Sequence, residues 1–304
     1  MTRPTQSGVL VVRKPRGPTS HDIVAQARRF FRTKEVGHAG TLDPMASGVL
    51  VLMLGEATKL AGYLTLEEKE YRATIALGVG TDTLDAEGAV VAEREIDPAE
   101  VDDAAVASAL SGEAARTEQV PPAFSAISVG GKRAYRLARK GEAPVLEPRP
   151  VKVLSLSLVS RAQCSVTVEL AVSKGYYVRS LARDIGERLG VPSHLAALER
   201  LRSGPYRLAE ALPWPPERDP VLIPLSEAAC RVLPSVDLTA DGIERARVGK
   251  RLAAEHFLVA PPAAPHVAWL GAGGVLVAIG EPDGEGAFRV TRGFREPDPG
   301  SPET

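Results

Sequence analysis

Apolar residues in the first half of the chain come mostly in short blocks. Val9 to Val12 is one block, and Val49 to Leu54 is a run of six apolar residues. Runs of that length are consistent with strands buried on both faces. Between them Ile23, Val24, Ala27, Phe30 and Phe31 recur at helical spacing behind Thr19-Ser20, a pair able to cap a helix. Glu70 to Gly78 alternates apolar and polar positions, as a half-buried strand does. Residues 97–113 read as a polar helix starting after Asp97-Pro98, and Val151 to Leu158 and Val166 to Val172 as strands. Val178, Leu181, Ala182, Ile185 and Leu189 form the apolar stripe of a helix that Gly190 and Pro192 close. Past the proline-rich stretch Pro213 to Pro224 the texture changes. A short helix ends at Arg247 to Leu252, and Val267 to Leu270, Val275 to Ile279 and Ala287 to Val290 read as small strands between glycine turns. The pattern predicts an α+β chain in two domains, 1–235 and 236–304, with a disordered tail from Glu296 to Thr304.

Composition narrows the class. A hydrophobic fraction of 44% and a charged fraction of 25% are those of an ordinary globular protein. The start MTRPTQSG lacks the apolar core of a signal peptide, and no stretch approaches the roughly 18 apolar residues that span a bilayer. The expected compartment is the cytoplasm, with no membrane partner. Two cysteines, Cys164 and Cys230, exclude a disulfide framework and a cysteine-based zinc site. His21, His38, His194, His256 and His266 show no metal-ligand spacing, and there is no P-loop or dinucleotide fingerprint. The run Thr81 to Gly88 superficially looks like a calcium loop but lacks the twelve-residue ligand spacing. No metal and no cofactor are expected.

The net charge of -1 hides an uneven distribution. Counting Lys and Arg against Asp and Glu, residues 1–40 carry roughly +6, residues 130–210 roughly +8 and residues 81–118 roughly -9. The basic segments either meet on one face suited to nucleic acid or remain scattered, solvated charge.

One stretch concentrates the candidate chemistry: GHAGTLDPMASGVLVLMLGEATK, from Gly37 to Lys59. Gly37, Gly40 and Gly48 permit backbone conformations closed to other residues. Pro44 biases Asp43 away from the right-handed helical region, so Asp43 belongs on an extended or turning loop ahead of the buried strand. A carboxylate so placed serves either as a catalytic group or as part of an ordinary Asp-Pro turn. Arg179, in the first turn of its predicted helix, is disfavoured there by the helix dipole. It is explained either by a buried carboxylate partner or by solvation.

The stretch resembles the signature of the TruB family of tRNA pseudouridine synthases, roughly G-H-x-G-T-L-D-P-x-A-[ST]-G-[VL]-L followed by G-x-A-T-K. Further segments resemble the family in the same order: Lys69-Glu70-Tyr71, Pro121 to Tyr135, and SKGYYVRSLARDIG from Ser173 to Gly186. Ala39 and Tyr176 stand where the family frequently has threonine. The resemblance covers most of residues 9–210. It implies a pseudouridine synthase catalytic domain with a mixed, mostly antiparallel central sheet flanked by helices. A weaker similarity implies a small C-terminal β-rich, PUA-like RNA-binding domain. It also implies isomerisation of uridine to pseudouridine at position 55 in the T-arm loop of tRNA, with the target base flipped out of its stack. Asp43, Tyr71 and Arg179 take the catalytic positions. His38, Tyr177 and Leu198 take substrate-binding positions, and Lys14 lies where an RNA-facing role is implied. The implied partner is tRNA alone, bound by a monomer with no obligatory protein partner. A guide-RNA-dependent synthase and a non-catalytic tRNA-folding chaperone of the same fold are the alternatives.

Overall fold

The computed structural model describes residues 7–65, 68–97, 101–125, 127–129, 131–138, 140–142 and 145–295. The expected disordered tail, 296–304, lies outside these residues. Two sheets organise the chain. The larger has nine strands, and its main path runs Val153–Ala162, Ser165–Val172, Lys69–Leu77, Ser193–Ser203, Ser47–Leu54, Gly8–Lys14, Leu212–Pro213. Val36–Ala39 pairs beside Ser47–Leu54, and Tyr206–Arg207 beside Ser193–Ser203. Two junctions are parallel: Ser193–Ser203 with Ser47–Leu54, and Gly8–Lys14 with Leu212–Pro213. The other pairings are antiparallel, so the sheet is mixed and mostly antiparallel.

The apolar runs at Val9–Val12 and Val49–Leu54 are buried on both faces because each face meets a different neighbour. Leu10, Val12, Leu50, Leu52 and Leu54 pack under helix Ser20–Phe30 through Ile23, Val24 and Ala27. Val9, Val11, Val49, Val51 and Met53 face the other way, into a core shared with Ala268, Leu276 and Ile279 of the second sheet and with Phe294 just past its last strand. The side-chain period of two splits one apolar run between two cores.

Lys69–Leu77 is half-buried, as its alternation predicts. Ala73, Ile75 and Leu77 join Val166, Val168 and Leu170 in a core covered by helices Asp103–Ala114 and Val178–Leu189. The stripe of the latter helix is as predicted: Val178, Leu181, Ala182 and Ile185 are buried, and Gly190 ends it in the left-handed conformation at φ 69°. Helix Asp103–Ala114 starts later than expected, because Asp102 caps it by accepting from Ala105 N at 2.7 Å.

Strand Ser193–Ser203 was not expected. It lies at the middle of the sheet, yet its register slips between Leu195 and Ala197 and again between Arg200 and Arg202. Each slip breaks the period of two, and His194, Glu199, Arg200 and Arg202 dilute the apolar signal.

The second sheet, in order Ser235–Asp237, Val267–Leu270, Leu276–Pro282, Phe288–Gly293, wraps a small core of Val236, Leu252, Phe257 and Trp269. Trp269 is fully buried and packs against Gly280, where a Cβ would come within 1.8 Å of its ring. Polar ties join the sheets: Lys59 Nζ donates to Gly293 O at 2.9 Å, and Arg295 N to Glu56 Oε2 at 2.9 Å.

Candidate active site

The loop 40–46 leads into a short parallel seam of the large sheet. Ser193–Ser203 and Ser47–Leu54 pair through only Glu199↔Ser47 and Arg200↔Gly48 before they part. Gly48 is required there. Its φ is +105°, and a Cβ would lie 2.3 Å from Arg200 O. Ser20 brackets the loop from the helix side: its hydroxyl accepts from Leu42 N at 2.8 Å and donates to Leu42 O at 3.1 Å. Leu42, Met45 and Ala46 are buried beneath, and Ala46 N closes a turn onto Asp43 O at 3.1 Å. With its neighbours anchored, Asp43 stands at the rim with 34% of its side chain exposed.

Arg179 grips that carboxylate. Its Nε lies 3.0 Å from Asp43 Oδ2, and its Nη2 donates to Asp43 Oδ1 at 3.3 Å. The same guanidinium donates to Thr83 O at 3.0 Å and Phe124 O at 2.9 Å, and stands 3.6 Å from Asp85 Oδ2. Two carboxylates therefore offset a cation that the helix dipole opposes. Asp85 is turned inward by Leu84, whose φ of 62° is unusual for a bulky side chain. Thr83 Oγ1 fixes the Asp85 carboxylate with a 2.6 Å bond to Oδ1. Glu87 lies close enough that its carboxyl is pushed up, first by burial and then by the charges of Asp85 and Asp43.

A second arginine acts on the opposite side of the loop. Arg200 is 1% exposed and spends its donors on carbonyls: Nε to Val49 O at 2.7 Å, Nη2 to Gly40 O at 3.0 Å and Nη1 to Thr41 O at 3.3 Å. Tyr71, opposite Arg200 in the strand register, lies close enough to this guanidinium to favour its charge. Its half-buried ring packs on the core that contains Leu42 and Met45, and Leu198 belongs to the same core, 5% exposed.

His38 lies on Val36–Ala39 beside Leu52 and is half-buried. Burial, then the charges of Arg200 and His21, lower its pKa, so the ring is neutral near pH 7. Its buried Nδ1 has no hydrogen-bond partner among the described residues. Tyr177 caps the Arg179 helix, and its backbone is clamped by Gln119, whose Oε1 accepts from Tyr177 N at 2.8 Å and whose Nε2 donates to Tyr177 O at 3.2 Å. Burial pushes its phenol pKa up.

Lys14 is not on an RNA-facing surface. It is fully buried, and Nζ donates to Pro15 O at 2.9 Å, Pro18 O at 2.7 Å and Pro44 O at 3.3 Å. Three carbonyls turned inward by the proline-rich loop draw the ammonium under the active-site loop and away from solvent. The sequence reading missed Asp85 and Arg200. Asp85 was hidden in a run of acidic residues that reads as a solvated loop. Arg200 was hidden in a strand whose polar residues mask it.

Among the described residues, no group of three or more His, Cys, Asp or Glu side chains is arranged to hold a metal ion, and no helix is long and apolar enough to cross a membrane.

The family described as "TruB family pseudouridylate synthase (N terminal domain)" matches residues 28–178, which contain Asp43 and Tyr71 and end one residue before Arg179. The tRNA pseudouridine synthase B of Cutibacterium acnes is 46% identical over 287 residues, spanning 92% of this chain and 95% of that protein. The tRNA pseudouridine synthase B of Mycobacterium avium is 47% identical over 253 residues, 81% of each. Among solved structures, a crystal structure of a Cbf5-Nop10-Gar1 complex contains a chain similar in fold, with a TM-score of 0.70 and 26% identity over 90% of this chain and 78% of that one. The mixed sheet, the order of the motifs and relatives of this identity over nearly the whole length agree: the chain belongs to the TruB family of pseudouridylate synthases.

Proposed function

We propose that the chain acts on tRNA, isomerising uridine 55 of the T-arm loop to pseudouridine, with Asp43 as the reacting carboxylate. One observation carries the reading: Asp43 is the accessible member of a fixed carboxylate–guanidinium pair, one-third exposed against a nearly closed Arg179. Such a pair holds a carboxylate in one orientation. In the isomerisation the uracil leaves its N1–C1′ bond, turns over and rejoins through C5, and the C5 proton departs. Asp43 is the nucleophile or base beside the sugar and base. Tyr71 stacks on the uracil from the strand beneath. Tyr177 and Leu198 line the base site. The neutral His38 faces the space a flipped base vacates in the RNA. Residues 236–304 act as a PUA-like accessory domain that extends the RNA contact. The enzyme works in the cytoplasm as a monomer that needs no protein partner.

The test is tritium release from C5-labelled uridine in a bare tRNA transcript, with the product mapped to position 55. Release without other proteins supports the reading. A chain inert on the bare transcript but active with a guide RNA and protein partners belongs to the guide-dependent type, and a chain that binds and refolds tRNA without release is a chaperone.

A further inference from the structure

A buried ionic cluster lies behind the helix that presents Arg179, and the reaction above makes no use of it. Tyr176, 8% exposed, donates its hydroxyl to Glu113 Oε1 at 2.8 Å. Glu113 is fully buried at the end of helix Asp103–Ala114, and both its oxygens accept from Arg116 Nε at 2.7 Å. Arg116 Nη2 stands 3.1 Å from Asp184 Oδ2, and Arg183 Nε donates to Asp184 Oδ1 at 2.7 Å. Burial pushes the Glu113 carboxyl up and the Tyr176 phenol up, so the phenol donates and does not ionise.

Stability alone is a poor reason for such a cluster. Apolar side chains of similar volume commonly fill such a space at equal or lower free energy, whereas directional bonds fix register. The register fixed here is that of the strap that follows Arg116. Gln119 clamps the backbone of Tyr177, the residue next to Tyr176. Val120 O accepts from Ser180 Oγ at 2.9 Å and Arg183 Nη2 at 3.1 Å. Phe124 O then accepts from Arg179 Nη2 at 2.9 Å. The cluster stands at one end of a ladder between strap and helix, and the other end is the guanidinium that holds Asp43.

We propose that Tyr176 is a positioning residue for the isomerisation: through Glu113, Arg116 and Asp184 it sets the strap 117–124 against the helix, and so sets where Arg179 stands on Asp43. This rests on the reading of Asp43 as the reacting carboxylate.

Tyr176→Phe removes one oxygen and keeps the ring. Single-turnover rate, tRNA affinity and melting temperature are measured for it in the wild-type and Arg179→Lys backgrounds. The rate falls roughly tenfold in the wild-type background, as a small misplacement of a reacting group does, with affinity held within about twofold. In the Arg179→Lys background the same substitution changes the rate little, because the geometry it sets is already lost. A wild-type rate from folded Tyr176→Phe, or an equal factor lost in both backgrounds, overturns the proposal and leaves the cluster a purely structural one. Asp43→Asn is run alongside. Turnover by that variant places the failure in the assignment of Asp43. An inactive Asp43→Asn beside a normal Tyr176→Phe places it in the positioning role. Should Tyr176→Phe not fold, Glu113→Gln carries the same two expectations, since it keeps an acceptor for the phenol and weakens the hold on Arg116.

Discussion

Two buried guanidiniums hold the Asp43 loop from opposite sides, and they are neutralised in opposite ways. Arg179 meets two carboxylates, Asp43 and Asp85, and two carbonyls. Arg200 meets three carbonyls and, among the described residues, no carboxylate, and burial lowers its pKa. A cation set against carboxylates fixes their direction, which is what a reacting group needs. A cation set against carbonyls fixes the path of the backbone. The loop therefore has a chemical flank and a structural flank, and perturbing each should leave a different signature.

The largest effect is expected at the carboxylate itself. Asp43→Asn keeps the shape and can still accept from Arg179, but an amide is neither nucleophile nor base. Turnover should fall by roughly 10⁴-fold, the scale of removing one member of a catalytic set, with tRNA affinity nearly unchanged. Tritium release and filter binding on the same samples check this, and wild-type-like release would remove Asp43 from the chemistry.

Arg179→Lys should follow, with a loss of roughly 10²-fold in turnover. Lysine keeps the charge but not the flat fork that reaches Asp43, Thr83 and Phe124 together. Breaking a buried pair costs up to about 3–5 kcal/mol, so urea unfolding must accompany the kinetics. Near-normal turnover by a folded Arg179→Lys enzyme would sink the pairing.

On the structural flank the order reverses. Arg200→Lys leaves at least one of the Val49, Gly40 and Thr41 carbonyls without its donor, and should cost about 2–4 kcal/mol of folding stability. Turnover of the folded fraction should fall less than for Arg179→Lys. Equal stability to wild type combined with a turnover loss as deep as that of Arg179→Lys would erase the distinction between the flanks.

The sequence made one flank legible and hid the other. Asp43 and Arg179 stand in long motifs, and a cation in a first helical turn already asks for an anion. The Asp43–Arg179 contact, across 136 positions, is where that expectation leads. The strands at Gly8–Lys14 and Ser47–Leu54 were visible because both faces are apolar. Ser193–Ser203 was not, since two register slips and its polar residues erase its period although it lies mid-sheet. Arg200 was lost with it. Asp85 was invisible for a different reason: only the left-handed Leu84 turns it inward, and no local pattern announces that turn. Lys14 was misread outright, because a lysine after a strand normally reaches water. Here the proline-bounded loop presents three carbonyls instead.

Lys14 gives the smallest and most distinctive prediction on the structural flank. Burial lowers its pKa from the ordinary 10.5 to about 8, with Arg200 adding to the fall and the charges of Glu87 and Asp43 opposing it. Below pH 8 both folded and unfolded chains hold the proton, and the cost of burying the charge is fully present. Between pH 8 and 10.5 the folded chain releases the proton while the unfolded chain keeps it. The unfolded state then binds more protons, so this group makes stability rise with pH, by at most about 1.4 kcal/mol per unit and on the order of 3 kcal/mol over the window. Lys14→Met removes the titration and leaves every other group in place. The difference in unfolding free energy, wild type minus Lys14→Met, should therefore climb in favour of wild type from pH 8 upward. Turnover at pH 7 should change little, because Pro44 O, the carbonyl next to Asp43, also accepts from Gly17 N at 2.9 Å. Urea unfolding of both proteins from pH 7 to 10 checks the slope. Parallel curves would mean that the ammonium reaches water and does not fasten the loop.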